Sequence, residues 1–366
     1  MERIGLVGLP NSGKTSLFNA LTGGSAMVAS HPFTTTETSV GVAALPDARL
    51  DALSEMSRSR KTVRAGVEVV DIAGLVAGSS TGEGLGNRFL AGIREVDALC
   101  VVLRAFDDPE VAGENDPLEA LGTLELELVL ADLATVDAQL DKRRKAARVD
   151  KSLSAQLESI EEAQSVLSAG TPLYRAGLGP EHSHARRELF LLTDKPVLVV
   201  VNLGEDQLDK AEPIVDGISA ALSDAPPGAP GAPVEVLGAC VQLEAEAAQL
   251  TSSERLELLE GFGLGEGALA RVARAAYHLI GRRTFFTTGD KESRAWSFRS
   301  GATAPECAGV IHSDLQRGFI RAEVIHYDEL LQLGSWTAAK SAGKLRLEGK
   351  EYHVADGDVL EIRFNV

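Results

Sequence analysis

Residues 8–15 read Gly-Leu-Pro-Asn-Ser-Gly-Lys-Thr, directly after the apolar run Arg3-Ile4-Gly5-Leu6-Val7 and before a helix expected to start near Lys14. No other feature of the chain restricts its fold so strongly. The spacing G-x-x-x-x-G-K-[ST] between a strand and a helix describes a phosphate-binding loop. Glycines let the backbone curl until its N–H groups surround an anion, and the N-terminus of the following helix adds its dipole. Lys14 is placed to reach the β- and γ-phosphates, and the Thr15 hydroxyl to ligate Mg2+.

The rest of the chain extends this into an α/β fold. Val67–Asp71, Leu99–Leu103, Pro196–Asn202 and Val234–Leu237 read as further strands separated by helical stretches, the pattern of βαβ units in a mostly parallel, helix-covered sheet. Functional groups in such sheets gather at the carboxyl ends of the strands. Between Leu99–Leu103 and Pro196–Asn202, Leu121, Leu124, Leu128, Leu133, Val136 and Leu140 recur at helical spacing. This predicts an inserted helical hairpin at about 116–190, its two long helices joined by the charged stretch Lys142–Lys151. The Pro/Gly-rich stretch Ala225–Pro233 is expected to be a surface loop. After Gly281 short β-like runs (Thr284–Thr287, Arg321–His326, Lys344–Leu347, Val359–Phe364) predict a separate β-rich module. The expected domains are therefore 1–281 and 282–366, and 366 residues suffice for two or three.

The net charge of −17 arises before that boundary, because residues 282–366 carry 12 basic and 12 acidic side chains. So acidic a chain argues against general nucleic-acid binding and indicates no specific DNA partner. No apolar run approaches the roughly 20 residues of a membrane span, so no membrane partner is expected. No secretory leader is visible, and three dispersed cysteines fit a reducing compartment; a cytoplasmic location is expected.

Two further motifs make the loop a switch-type NTPase site. Asp71-Ile72-Ala73-Gly74 ends the second motif-bearing strand and offers a carboxylate for Mg2+ and, at Gly74, an N–H for the γ-phosphate. Upstream, Pro32-Phe33-Thr34-Thr35-Thr36 offers hydroxyls for the metal. Base recognition departs from a GTPase. The N-K-x-D that reads guanine is replaced by Asn202-Leu203-Gly204-Glu205, and Glu205 is one methylene too long for the guanine-binding Asp. Losing paired polar groups forfeits discrimination, which favours ATP; a GTPase is the alternative. A second alternative is a nucleotide-gated binding module, on the ribosome if the resemblance described next holds, in which hydrolysis is incidental.

Together these stretches resemble the Obg-like ATPases, the YchF branch of the Obg group of P-loop NTPases. The resemblance covers essentially the whole chain: GLPNSGKTSLFNALT, HPFTTTE, VDIAGLVAGSSTGEGLGNRFLAGIREVDA, the NLGE, FFTTGDKESRAW and the tail GKLRLEGKEYHVADGDVLEIRFNV. It implies an ATPase domain with a coiled-coil insertion, a C-terminal TGS domain, and a cytoplasmic partner in the ribosome or a ribosomal subunit, linked to translation and stress response. By motif position, Asn11, Ser12, Gly13, Lys14, Thr15 and Ser16 wrap the triphosphate and Thr15 and Thr35 ligate Mg2+, with Asp71 behind them. Asn202 and Leu203 meet adenine and Phe106 takes its other face. Leu75 stands where Ras-like GTPases place a water-orienting Gln. Many relatives carry a His in the loop after the third strand, whereas here 107–116 is shorter and has none. Hydrolysis must then rely on Mg2+, Lys14, backbone donors such as Gly74, a monovalent cation (K+) near Asn11, or groups from elsewhere. Slow intrinsic turnover is expected.

Other residues invite weaker readings. His312-Ser313-Asp314 is adjacent in sequence and cannot form a catalytic triad, whose members converge from separate segments. The cluster Lys142, Arg143, Arg144 and Lys145, with Arg148 and Lys151, at the hairpin tip is either a solvated helix end or a contact for rRNA phosphates. Cys100 reads as core, and Cys240, after the fifth strand, as a neighbour of the nucleotide.

Overall fold

The computed structural model describes residues 2–23, 27–29, 38–72, 85–179, 183–223 and 233–365. Thr35, Gly74, Leu75 and nearly all of the Ala225–Pro233 stretch lie outside them. The strands are β1 (Arg3–Val7), β2 (Met27–Ala29), β3 (Thr38–Ala44), β4 (Thr62–Val63), β5 (Gly66–Asp71), β6 (Ala98–Arg104), β7 (Val197–Asn202), β8 (Glu235–Ala239), β9 (Arg282–Thr287), β10 (Ser293–Arg299), β11 (Phe319–His326), β12 (Arg346–Glu348) and β13 (Asp358–Phe364).

The chain forms two compact units: Met1–Ala43 with Glu68–Ile280, and Ala44–Val67 with Gly281–Val366. The first holds a seven-stranded sheet in the order β2-β3-β5-β1-β6-β7-β8. β1 runs parallel to both β5 and β6, with Leu6 opposite Asp71 and Cys100; β7 and β8 continue the parallel series, and β2 pairs antiparallel with β3. Every residue of β6 and β7 is buried, as expected for strands covered on both faces. Helix α1 (Lys14–Thr22) follows β1 directly. No helix among the described residues is long and apolar enough to cross a membrane.

The helical insertion consists of α4 (Pro117–Val149) and α5 (Ser154–Ser168), numbered after α2 (Ala48–Met56) and α3 (Leu85–Arg94). Asp116 caps α4 by accepting from the N–H groups of Leu118 (2.8 Å) and Glu119 (3.3 Å), with Pro117 in the first turn. Leu121, Leu124 and Leu128 bury their side chains in the main core, whereas Val136 and Leu140 pack with Ile160, Ala163 and Leu167 of α5. The charged stretch is not the connector expected from the sequence. Lys, Arg and Ala are all good helix formers, and α4 runs through Lys142–Arg148 to Val149; the turn falls at Asp150–Leu153.

The second unit carries a six-stranded sheet, β12-β11-β13-β9-β10-β4. Its core gathers Phe285, Phe298, Cys307, Phe319, Val324 and Leu360. It is less purely β than expected: helices at Ala304–Ile311, Ser313–Arg317, Tyr327–Leu333 and Trp336–Ser341 alternate with its strands. His312 caps the second of these by accepting from the Asp314 N–H (3.1 Å), which gives the His-Ser-Asp triplet a structural role.

The first domain does not run unbroken over 1–281. Residues Ala44–Val67 belong to the second unit, where β4 lies parallel to β10 with Thr62 opposite Ser293. Leu50 and Leu53 of α2 are fully buried. Ser59 Oγ donates to Gly289 O (2.6 Å), and hydroxyl contacts connect Ser59, Ser293 and Thr288. This partnership spans more than two hundred residues of sequence, beyond the reach of local periodicity.

Arg49 anchors α2. It bridges Asp47 (2.8 Å) and Asp356 (2.7 Å) and lies over the rings of Phe286 and Tyr327 at 5.1 and 5.6 Å. Both tryptophans of the chain, Trp296 and Trp336, are in this unit, so tryptophan fluorescence in a denaturant titration reports its unfolding alone. Arg49→Ala is expected to destabilise that transition by about 2 kcal/mol, below the figure for a fully buried pair because the side chain is 26% exposed. An unmoved midpoint would show that the network contributes nothing net.

Candidate functional site

The carboxyl ends of β1, β5, β6, β7 and β8 bring the motif residues to one edge of the sheet. The turn after β1 places Asn11 at φ 61° and Gly13 at φ 92°. A side chain at Gly8 would overlap Val102 O, and one at Gly13 would overlap Asn202 Nδ2. The loop is thus held close against β6 and β7, and both glycines follow from that approach. α1 begins at Lys14 with Gly13 as its N-cap and no side-chain cap, so its first N–H groups are open to an anion.

Lys14 is only 7% exposed, and its Nζ donates to Leu9 O (2.8 Å). Burial holds its pKa below the usual lysine range, while Asp71 pulls it up. Thr15 and Ser16 are exposed, and the Thr15 hydroxyl donates to Asp71 Oδ2 (2.8 Å). Burial raises the Asp71 carboxyl, while this hydrogen bond and Lys14 lower it. Hydroxyl, carboxylate and ammonium therefore converge at the loop. Ser12 Oγ is buried with no hydrogen-bond partner among the described residues. Asn11 Nδ2 donates to Ala112 O (3.0 Å), tying the loop to the 105–112 segment. Among the described residues no cluster of three or more His, Cys, Asp or Glu could hold a metal by itself.

On the expected base side, two residues behave differently from the sequence reading. Asn202 is 5% exposed, and its carboxamide is an internal clamp: Nδ2 donates to Ser12 O (3.1 Å), and Oδ1 accepts from the Val241 N–H (3.2 Å). Leu203 is 2% exposed and its side chain joins the main core beneath Gly238. An apolar side chain gains more there than against a solvent-exposed ligand, so Leu203 does not copy the base-stacking Lys it replaces. Glu205 is exposed at the start of a 3-10 helix, Glu205–Lys210. Phe106 is half-buried beside Gly204.

Cys240 is buried as the N-cap of the helix Val241–Ala247; burial raises its thiol, with the carboxylates of Glu205 and Glu244 adding. Cys100 lies in the core of β6, its thiol pushed up to about 12 by burial. Sequence reasoning missed two participants. Arg104, the last residue of β6, is buried under the 105–111 segment. Gln207 accepts from the Gly204 N–H (2.9 Å) and donates to Ala105 O (2.9 Å). Arg104 ends an otherwise apolar strand, the one local sign that its charge needs a buried partner.

At the hairpin tip, Arg143 pairs with Glu188 (3.3 Å) and Arg144 with Glu161 (2.8 Å). Lys142, Lys145, Arg148 and Lys151 are exposed and have no ion-pair partner among the described residues. Of the basic residues named at this tip from the sequence, Arg143 and Arg144 are thus engaged within the protein, and the charge available to a partner is carried by the other four.

Comparison with known proteins gives a consistent picture. Residues 3–129 match the family described as 50S ribosome-binding GTPase, and residues 283–365 match YchF-GTPase_C, described as a protein of unknown function (DUF933). A Bacillus subtilis protein named ribosome-binding ATPase YchF is 44% identical over 366 residues, 99% of each chain. Proteins of the same name from Haemophilus influenzae and Escherichia coli O157:H7 are 44% and 41% identical, each match covering 100% of this chain and 99% of the relative. The structure of the Schizosaccharomyces pombe YchF GTPase superposes with a TM-score of 0.84 at 32% identity, covering 99% of this chain and 97% of that one.

Proposed function

The chain belongs to the YchF family of P-loop nucleoside triphosphatases, and from that membership we propose that it is a cytoplasmic, Mg2+-dependent ATPase whose nucleotide state governs its binding to the ribosome. The observation that carries this reading is the convergence of Lys14, Thr15 and Asp71 on a loop whose N–H groups and helix N-terminus are set for a triphosphate. The bacterial relatives' shared name supplies the base and the partner.

In this mechanism the loop Asn11–Ser16 encloses the phosphates and Lys14 pairs with the β- and γ-oxygens, charge that grows toward the transition state. The Thr15 hydroxyl and Asp71 carboxylate carry hard oxygens 2.8 Å apart and fit a magnesium ion; by motif, the Thr35 hydroxyl would join them and the Gly74 N–H would donate to the γ-phosphate. Held by these residues, Mg2+ would supply neutralisation of negative charge on the triphosphate. A water oxygen attacks the γ-phosphorus and the bond to the bridging oxygen breaks, giving ADP and phosphate. No general base is assigned, and intrinsic turnover is slow. Asn202 supports the base site by holding the loop to the start of the helix Val241–Ala247, while Phe106, the main chain of Leu203-Gly204-Glu205 and Cys240 border the adenine.

Dissociation constants for ATP and GTP, measured with Mg2+ on the nucleotide-free protein, test the base. At least about 10-fold tighter ATP binding is expected, the discrimination lost when a guanine-reading carboxylate is absent. Equal affinity or GTP preference would favour the GTPase reading, the activity in the name of the fission-yeast relative.

For the ribosome, the exposed Lys142, Lys145, Arg148 and Lys151 are the proposed phosphate contacts. Reversing all four to Glu is expected to weaken ribosome binding in low salt by roughly 100-fold and to flatten its salt dependence. Unchanged affinity and salt slope in a sedimentation assay would remove the hairpin tip as a contact.

A further inference from the structure

Arg104 ends β6 at 2% exposure, and among the described residues no carboxylate lies within ion-pair distance of it. A cation buried without a counter-charge is costly unless its donors are satisfied. Here they are satisfied by main-chain carbonyls: Nε donates to Phe106 O (3.1 Å), Nη1 to Val111 O (3.0 Å) and Nη2 to Asp108 O (3.2 Å). The guanidinium also lies over one face of the Phe106 ring, 4.5 Å from its centroid. One planar fork thus fixes three carbonyls of a segment with no regular secondary structure and sets the plane of an aromatic ring.

That segment is the hub of the site. Asn202 O accepts from the N–H groups of Ala105 (2.9 Å) and Phe106 (3.2 Å). Gln207 joins Ala105 O to the Gly204 N–H, and Ala112 O accepts from Asn11 of the phosphate loop. With its first face covered by Arg104, Phe106 has only the opposite face left for a base.

We propose that Arg104 is the positioning residue of the base site. It makes no contact with nucleotide, but by shaping the 105–111 segment it sets the affinity for the adenine half of ATP, and Gln207 closes the frame on the other side. This rests on the reading that the base binds between Phe106 and Leu203-Gly204-Glu205.

The test compares Mg2+–ATP with Mg2+–tripolyphosphate, which has the phosphates and no base. Dissociation constants are measured by calorimetry on the full chain, for the unaltered protein and for Arg104→Met, Arg104→Lys and Gln207→Leu. Arg104→Met is expected to weaken ATP by about 10- to 100-fold, the loss of hydrogen bonds from a charged donor, and tripolyphosphate by less than about 3-fold. Arg104→Lys keeps the charge without the fork and is expected to recover little of the ATP affinity. Gln207→Leu, at a half-buried position, is expected to show the same selective loss and decides the matter if Arg104→Met does not fold. Equal losses for both ligands, or undiminished ATP affinity, would overturn the proposal. If the unaltered protein itself binds ATP no more tightly than tripolyphosphate, the base-site reading fails first, a result visible before any variant is compared.

Discussion

Gly13→Ala is expected to weaken triphosphate binding by at least about 100-fold in a calorimetric titration. Two costs combine. An L-residue held at φ 92° is strained by about 1–2 kcal/mol. The new methyl would also overlap Asn202 Nδ2, so the carboxamide must leave Ser12 O and the Val241 N–H. Each buried main-chain group left unpaired costs about 1–3 kcal/mol. The clash is specific enough to be tested by rescue: in an Asn202→Ala background the same glycine substitution should cost about tenfold less, because only the strain remains. Full additivity of the two substitutions would show that the loop is not braced through Asn202.

Lys14→Ala is expected to lower ATP turnover by about 1000-fold, the scale on which removing a preorganised charge from phosphoryl transfer acts. The protein should not lose thermal stability. Burial holds the Lys14 pKa below that of a solvated lysine, so the folded state disfavours the charged form, and that cost is present at neutral pH and relieved as pH rises through the lowered pKa. A residue that costs the fold something while serving a ligand is a familiar feature of active sites. ATP affinity should accordingly fall in alkaline solution sooner than for a solvated lysine, since only the ammonium pairs with phosphate. A Lys14→Ala protein retaining more than about a tenth of its turnover would displace Lys14 from the mechanism.

The sequence disclosed what is local in this molecule. The phosphate loop is one strand, one turn and one helix start, and Gly8, Gly13, Lys14 and Thr15 occupy the positions their chemistry demands. β1, β5, β6, β7 and β8 were legible because each is a short run rich in apolar residues, fully covered in β6 and β7, and the hairpin because Leu121 to Leu140 keep helical spacing. What stayed hidden depends on distant partners. Nothing near Leu50 and Leu53 says that they pack with residues beyond 281, and β10, whose Ala295, Trp296 and Phe298 sit among Ser293, Arg294, Ser297 and Arg299, has too few apolar residues to stand out. Motif position puts Asn202 on the base, whereas its two hydrogen bonds to main chain emerge only when β1, β7 and β8 are adjacent. Leu203 shows the same limit, since an apolar residue in a binding motif can as easily belong to the core below it.

The placement of Ala44–Val67 in the second unit has a bearing on how the protein is born. During synthesis this segment leaves the polymerising machinery 214 residues before Gly281, a delay of roughly ten to forty seconds at about 5–20 residues per second. For that interval Leu50 and Leu53 have no native surface to cover them and β4 has no neighbour. Meanwhile the flanking β3 and β5 can already assemble with β1. The nascent chain therefore carries an unsatisfied apolar loop between two finished strands until its last quarter is translated. A fragment ending at 281 would keep that loop permanently, and should be prone to self-association although its phosphate loop is intact.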